Sequence, residues 1–296
     1  MHGSAWTIAT PPRFTLAFAA LFLALPSPAA AQWIADPDDV TAREAEYSPY
    51  LGYNYPDRVF FGDTHLHTSY STDAGMVGNV LGPAEAYRFA KGEIVTSSAG
   101  VRARLLRPLD WLVVADHAEN LGLANLIAES DSELLKNDWG REVHDMVKDG
   151  RPWDAYAAWG EQMTARDDPL ADNEALSRTM WERITEAAET HYEPGRFTAF
   201  IGYELTSSPG GNNLHRNVIF RDGKDQADQV IPMSHYDSTD PEDLWDWMEA
   251  YEARTGGSLL AIAHNGNLSN GLMFDDVTFT GDPLSRQYAE RRSLWE

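Results

Sequence analysis

The segment Gly62-Asp63-Thr64-His65-Leu66-His67-Thr68-Ser69-Tyr70-Ser71-Thr72-Asp73 sets two imidazoles two residues apart, with a carboxylate in the loop beyond them. In an extended segment residues i and i+2 point the same way, so His65 and His67 can hold one cation from a single strand end. Asp73 can return from the loop as an oxygen ligand. Val113-Val114-Ala115-Asp116-His117 ends an apolar run in an acid–imidazole step, where Asp116 suits a carboxylate that orients ligands. Ile201-Gly202-Tyr203-Glu204 ends another such run in a carboxylate, which must face solvent or be held by something positive. His215, in Asn212-Asn213-Leu214-His215-Arg216-Asn217, opens an apolar run where the others close one, and Ala263-His264-Asn265 closes the last. Each segment alone has an ordinary structural explanation; the set does not.

The elements that must position these residues follow from the hydrophobic pattern. Residues 58–62 (RVFFG), 109–115 (LDWLVVA), 197–203 (FTAFIGY), 217–220 and 258–263 (SLLAIA) predict strands. Residues 82–91 predict a helix, as do residues 240–255, where Asp240 suits the N-cap and Pro241 the first helical position. Strands alternating with helices predict a parallel α/β sheet or barrel. Between Asp116 and Glu193 no strand is evident. That stretch predicts three or four helices, with Trp139, Trp153, Trp159 and Trp181 as packing residues, and reads as a helical insertion over about 118–195.

In a parallel α/β architecture function gathers at the carboxyl ends of strands, where His65, His67, His117, Glu204 and His264 all fall. Their convergence would be costly unless a cation neutralised and ordered them. Imidazole and carboxylate without thiolate suits Zn, Mn or Fe. His2, His144, His191 and His235 fall in the leader, helices or loops and read as incidental.

Composition narrows the remaining classes. The 296 residues are 43% hydrophobic and 11% aromatic, which excludes general disorder. A net charge of −23 argues against a long nucleic acid or an anionic membrane as partner. There is no cysteine, so a disulfide scaffold, a thiol nucleophile and Cys-ligated zinc are excluded. Residues 1–31 read as a secretory signal peptide: Arg13, the apolar run FTLAFAALFLAL over 14–25, then Ala29-Ala30-Ala31 as a small-residue cleavage site. The run is too short to span a bilayer, and no Cys at the cleavage point provides a lipid anchor. The expectation is an exported protein, periplasmic or extracellular, with an extended lead-in over 32–57 and one domain over 58–296.

The order of these segments resembles the polymerase and histidinol phosphatase (PHP) superfamily. The correspondence runs from Asp63 to Asn267. The family's opening His-x-His with a following acid matches His65, His67 and Asp73; its strand-end Asp-His matches Asp116 and His117; its bridging Glu matches Glu204; its next two His match His215 and His264. The strings FGDTHLHTSYSTDA, GNNLHRNVIF and AHNGNLSNGLMF resemble one long secreted branch, catalogued as a domain of unknown function (the 3604 group). The resemblance implies a distorted seven-stranded β/α barrel with a trinuclear site. His65, His67 and Glu204 would hold one metal, and Glu204, His215 and His264 a second. Asp73 and His117 would help hold the third. The family closes its site with a late Ser-Asp-x-His segment, and none follows His264 here. The chain therefore reads as truncated at its C-terminus, with a ligand lost from the first and third metals.

The function expected is a metal-dependent hydrolase of small phosphate mono- or diesters. Two or three divalent ions would activate a water and clamp the attacking and leaving oxygens, so no Ser or Cys nucleophile is needed. Glu204 would bridge the metals, and Arg216 would contact the substrate phosphate. A related metallohydrolase cleaving amide or lactone bonds also fits His-x-His, although Glu204 stands where many such enzymes carry a bridging lysine. An inactive metal-binding fragment is the third reading.

Overall fold

The computed structural model describes residues 58–296, so the expected signal peptide and lead-in lie outside the described residues. The chain runs β1 (Gly62–Leu66), α1 (Thr72–Gly75), α2 (Pro83–Ala90), a small hairpin of β2 (Val95–Thr96) and β3 (Arg102–Ala103), then β4 (Trp111–Val114). Helices α3 (Leu123–Glu129), α4 (Asp138–Lys148), α5 (Pro152–Ala165) and α6 (Glu174–His191) follow without a strand among them. The remainder is β5 (Thr198–Leu205), β6 (Arg216–Phe220), α7 (Lys224–Ala227), α8 (Pro241–Thr255), β7 (Leu259–Ala263) and α9 (Arg286–Trp295). Among the described residues no helix is long and apolar enough to cross a membrane.

Five strands form one mixed sheet in the order β1-β4-β5-β6-β7. β1, β4 and β5 are parallel, whereas β6 runs antiparallel to both β5 and β7. The expected all-parallel sheet is corrected on this point. Reversal of β6 also explains why His215 opens its strand: the start of β6 lies at the same sheet edge as the ends of the other four.

Alternation assigns the two faces. Ile201, Tyr203 and Leu205 on β5 pair across with Phe220, Val218 and Arg216 on β6, and this face carries the main core. Helix α6 supplies Leu176, Met180, Ile184 and Ala188 at four-residue spacing, one buried stripe of an amphipathic helix. Helix α8 adds Leu244, Trp245, Met248 and Tyr251, and its N-cap is Asp240, whose Oδ1 accepts from the Glu242 N–H at 2.9 Å. Trp181 is fully buried and Trp159 nearly so, as packing residues should be. Trp153 is not: it stays 65% exposed.

The inward face is smaller and open. Val113, Ala115 and Ile219 cluster there with Trp111 and Phe200. Gly202 allows this tight approach, since a Cβ there would sit 2.5 Å from Val113 Cγ1 and 2.8 Å from the Val218 carbonyl oxygen. A cavity of about 800 Å³ runs along this face, bordered by Leu260 (47% exposed) and Ile262 (36% exposed) on the edge strand β7. Val59, Phe60 and Phe61 lie before β1 and are exposed, so the first strand begins where the apolar run ends. Hydrophobicity located the strand's neighbourhood, but its hydrogen bonds to β4 begin at Gly62.

Candidate metal centre

The shared sheet edge brings the histidines to one carboxylate. Glu204, nearly fully buried on β5, is the hub. Its Oε2 lies 2.9 Å from His65 Nε2 and 2.7 Å from His67 Nε2, and those two nitrogens are 3.1 Å apart. Its Oε1 lies 2.7 Å from His215 Nδ1 and 2.9 Å from His264 Nε2. One carboxylate thus meets four imidazoles, two on each oxygen. Both rings of the His-x-His pair reach the same oxygen.

The backbone fixes Glu204 just as firmly. Its N–H donates to the Asp116 carbonyl at 2.9 Å, and its own carbonyl accepts from Ala118 N at 3.0 Å. His117 is thereby held opposite Glu204 as an isolated parallel bridge continuing the β4–β5 pairing. Its Nε2 is 3.6 Å from Asp73 Oδ2, and Asp73 also lies 3.2 Å from His67 Nδ1. Asp116 is fully buried and accepts from the Thr68 N–H and, at 2.7 Å, from the Thr68 hydroxyl, pinning the loop that follows His67.

Among the described residues three overlapping groups could hold a metal ion: His65, His67 and Glu204; His67, Asp73 and His117; and His117, Glu204 and His215. The second differs slightly from expectation by including His67. His264 falls outside these groups but contacts Glu204 directly. The donor set fits divalent cations. It is all nitrogen and oxygen, and two imidazole nitrogens 3.1 Å apart beside a carboxylate need either a proton or a metal between them.

The electrostatics follow from this crowding. Burial raises the pKa of a carboxyl such as Glu204, but hydrogen bonds from His215, His264, His65 and His67 outweigh it and push the group far below the ordinary carboxylate range. Burial likewise opposes a charge on His67, yet Asp73 and Glu204 prevail and raise it to about 10. His117 goes the other way: burial lowers it to about 4, so the ring is neutral at physiological pH. Burial also raises Asp116 to about 6 and Glu119 to about 7.

Arg216 is the one expected site residue that the structure does not bring in. It pairs across from Leu205, so strand alternation sends its side chain to the helical face, opposite His215. There its Nε lies 2.9 Å from Glu296 Oε1, both groups being buried, and it also donates to the Leu214 carbonyl. His144 and His191 stand apart from the cluster. His235 is buried behind it, with its ring against the Thr206 carbonyl.

Several partners were missed from sequence. Ser208 Oγ lies 3.0 Å from His215 Nε2, and Thr206 Oγ1 lies 2.7 Å from His117 Nδ1. Glu119 is fully buried with no Lys or Arg partner among the described residues, and its Oε2 accepts from the Thr206 hydroxyl at 2.6 Å. The available signal was spacing: Glu119 is two residues past His117, and Thr206 two past Glu204.

The family described as "Protein of unknown function (DUF3604)" matches residues 54–296. No curated protein and no solved structure matches the chain.

Proposed function

The chain belongs to the DUF3604 family, and from its metal centre we propose a metal-dependent hydrolase acting on small phosphate mono- or diesters. The observation that carries this reading is Glu204 with an imidazole pair on each oxygen. Such a carboxylate suits a bridge between two cations, with His65 and His67 serving one and His215 and His264 the other. Asp73 and His117 would serve a third. When bound, Zn, Mn or Fe ions would supply Lewis-acid polarisation and an activated water.

The chain's own residues do the positioning. The Asp116–Thr68 contacts hold the strand-end loop, and the His117–Glu204 bridge fixes two ligands through backbone alone. His65 and Asp73 are the more exposed members, so they mark the side from which a substrate approaches. With Arg216 turned to the other face, the phosphate charge falls to the cations rather than to that guanidinium. The resemblance to the PHP superfamily supports the same reading, and with it we infer that the five-stranded sheet is an arc of a larger β/α barrel. Its open apolar inward face is what further strands would cover.

The test is turnover of nitrophenyl phosphate mono- and diesters by the purified chain, chelated and then reloaded with Zn²⁺ or Mn²⁺. A panel of amides and lactones runs beside them. Metal-dependent phosphate-ester turnover, lost in Glu204→Gln, is expected. Turnover confined to amides or lactones would replace the phosphoesterase reading, and full metal occupancy with no turnover would leave a metal-binding protein.

A further inference from the structure

We propose that Glu119 and Thr206 are positioning residues that fix the tautomer of His117, so that its Nε2 lone pair faces the metal centre. This rests on the reading of His117 as a ligand. The argument is one of hydrogen-bond polarity. Glu119 Oε1 accepts from two backbone donors, Thr206 N at 3.2 Å and His235 N at 2.6 Å. Its Oε2 faces the Thr206 hydroxyl at 2.6 Å. Three donors converge on this one carboxyl, which favours its charged, acceptor-only form, so Thr206 spends its single hydroxyl proton on Glu119.

Only lone pairs then remain on Thr206 Oγ1 for the contact 2.7 Å away at His117 Nδ1. His117 must therefore carry its proton on Nδ1. Its other nitrogen, Nε2, is left unprotonated on the side of Asp73, 3.6 Å distant. A ligating imidazole whose second nitrogen is tied to a carboxylate is a common way to set tautomer and ring orientation. Here the tie runs through a threonine hydroxyl, since Glu119 Oε2 itself stands 3.6 Å from Nδ1. All three side chains are buried, so water does not compete for these bonds. Glu119 also accepts the backbone N–H of His235 and so joins the strand ends to the 231–239 segment.

The polarity can be reversed without changing shape. In Glu119→Gln the amide oxygen keeps the two backbone donors, which leaves the NH₂ facing Thr206 Oγ1. Thr206 then accepts from Gln and donates to His117 Nδ1, placing the ring proton on Nε2, where a metal must displace it.

The experiment is ¹⁵N NMR of the imidazoles in the metal-free chain at pH 8, with Zn²⁺ titrated calorimetrically into the same samples. Wild type should show His117 as the Nδ1–H tautomer. Glu119→Gln should show Nε2–H and bind Zn²⁺ about 10- to 100-fold more weakly, the range usual for such outer partners. Thr206→Val should weaken Zn²⁺ similarly, and Thr206→Ser should restore both tautomer and affinity. A wild-type His117 found as Nε2–H overturns the proposal, whatever the variants do. So does a folded Glu119→Gln with unchanged tautomer and affinity. Because the tautomer is read without metal or substrate, a failed hydrolase assay leaves this result standing, and the reverse holds too.

Discussion

Glu204 is clasped at its backbone by both neighbours of His117: its N–H bonds to Asp116 O at 2.9 Å and its carbonyl to Ala118 N at 3.0 Å. The two residues are 87 positions apart, yet main-chain pairing alone sets their separation. Changing the Glu204 side chain should therefore empty the centre without dismantling the sheet beneath it.

Glu204→Gln should remove more metal than any single His substitution, because the carboxylate meets four imidazoles while each imidazole meets it once. Its negative charge also offsets repulsion between neighbouring cations. Elemental analysis of chelated and reloaded protein should find occupancy reduced by more than half, with a near-native circular dichroism spectrum. Full occupancy in Glu204→Gln beside clear loss in His264→Ala would remove the bridging role.

Arg216→Ala should lower stability and leave the turnover and metal content of folded protein nearly unchanged. Its guanidinium is paired with Glu296 on the face away from the centre. Breaking a buried pair costs about 3–5 kcal/mol. The lower figure applies here, since Trp245 Nε1 and Arg292 still contact Glu296. At roughly 2–4 °C per kcal/mol for a chain of this size, Tm should fall by about 6–12 °C. A 30-fold loss of turnover at unchanged Tm would return Arg216 to the active site.

How far the sequence could be read depended on which contacts each residue makes. The segments bearing the histidines and Glu204 were legible because apolar runs mark strand ends, and their gathering at such ends stands out as a set although each alone has an ordinary structural explanation. Arg216 was misread because adjacency in sequence means opposite faces in a regular strand, and β6 is regular through that position. The antiparallel turn of β6 was hidden, since an apolar run carries no direction; only His215 at its start hinted at it. Glu119 and Thr206 were overlooked for another reason, since lying two residues past His117 and Glu204 is a weak signal on its own. Their importance lies in hydrogen bonds between segments 87 residues apart, which no local pattern encodes.

The inward sheet face should bind a hydrophobic dye such as ANS. Leu260 and Ile262 border a cavity of about 800 Å³ and remain partly exposed. Replacing both with Ser should cut dye binding by about half or more while metal content holds, since β7 keeps its backbone pairing to β6. Dye binding unaffected by the pair would mean that this face is already covered in solution.

Metal binding should release a proton from His67. In the metal-free chain burial disfavours its charged form, but Asp73 and Glu204 outweigh burial and raise the group to about 10. His67 is therefore an imidazolium at pH 7.5, and a cation can take its Nε2 only by displacing a proton. Calorimetric titration with Zn²⁺ in buffers of different ionisation enthalpy should show about one proton released from this residue near pH 7.5, declining towards none above pH 10. The same shift acts on the stability of the metal-free protein. A histidine whose pKa is higher folded than unfolded stabilises the fold fully below its unfolded value of 6.5, and that contribution is lost as pH rises towards 10. Metal-free protein should thus lose stability between pH 6.5 and 10, whereas the metal-loaded form, with His67 already deprotonated, should not follow that decline. Buffer-independent binding enthalpies at pH 7.5 would show that His67 is neutral before the metal arrives, and would remove the proton it is held to carry between Asp73 and Glu204.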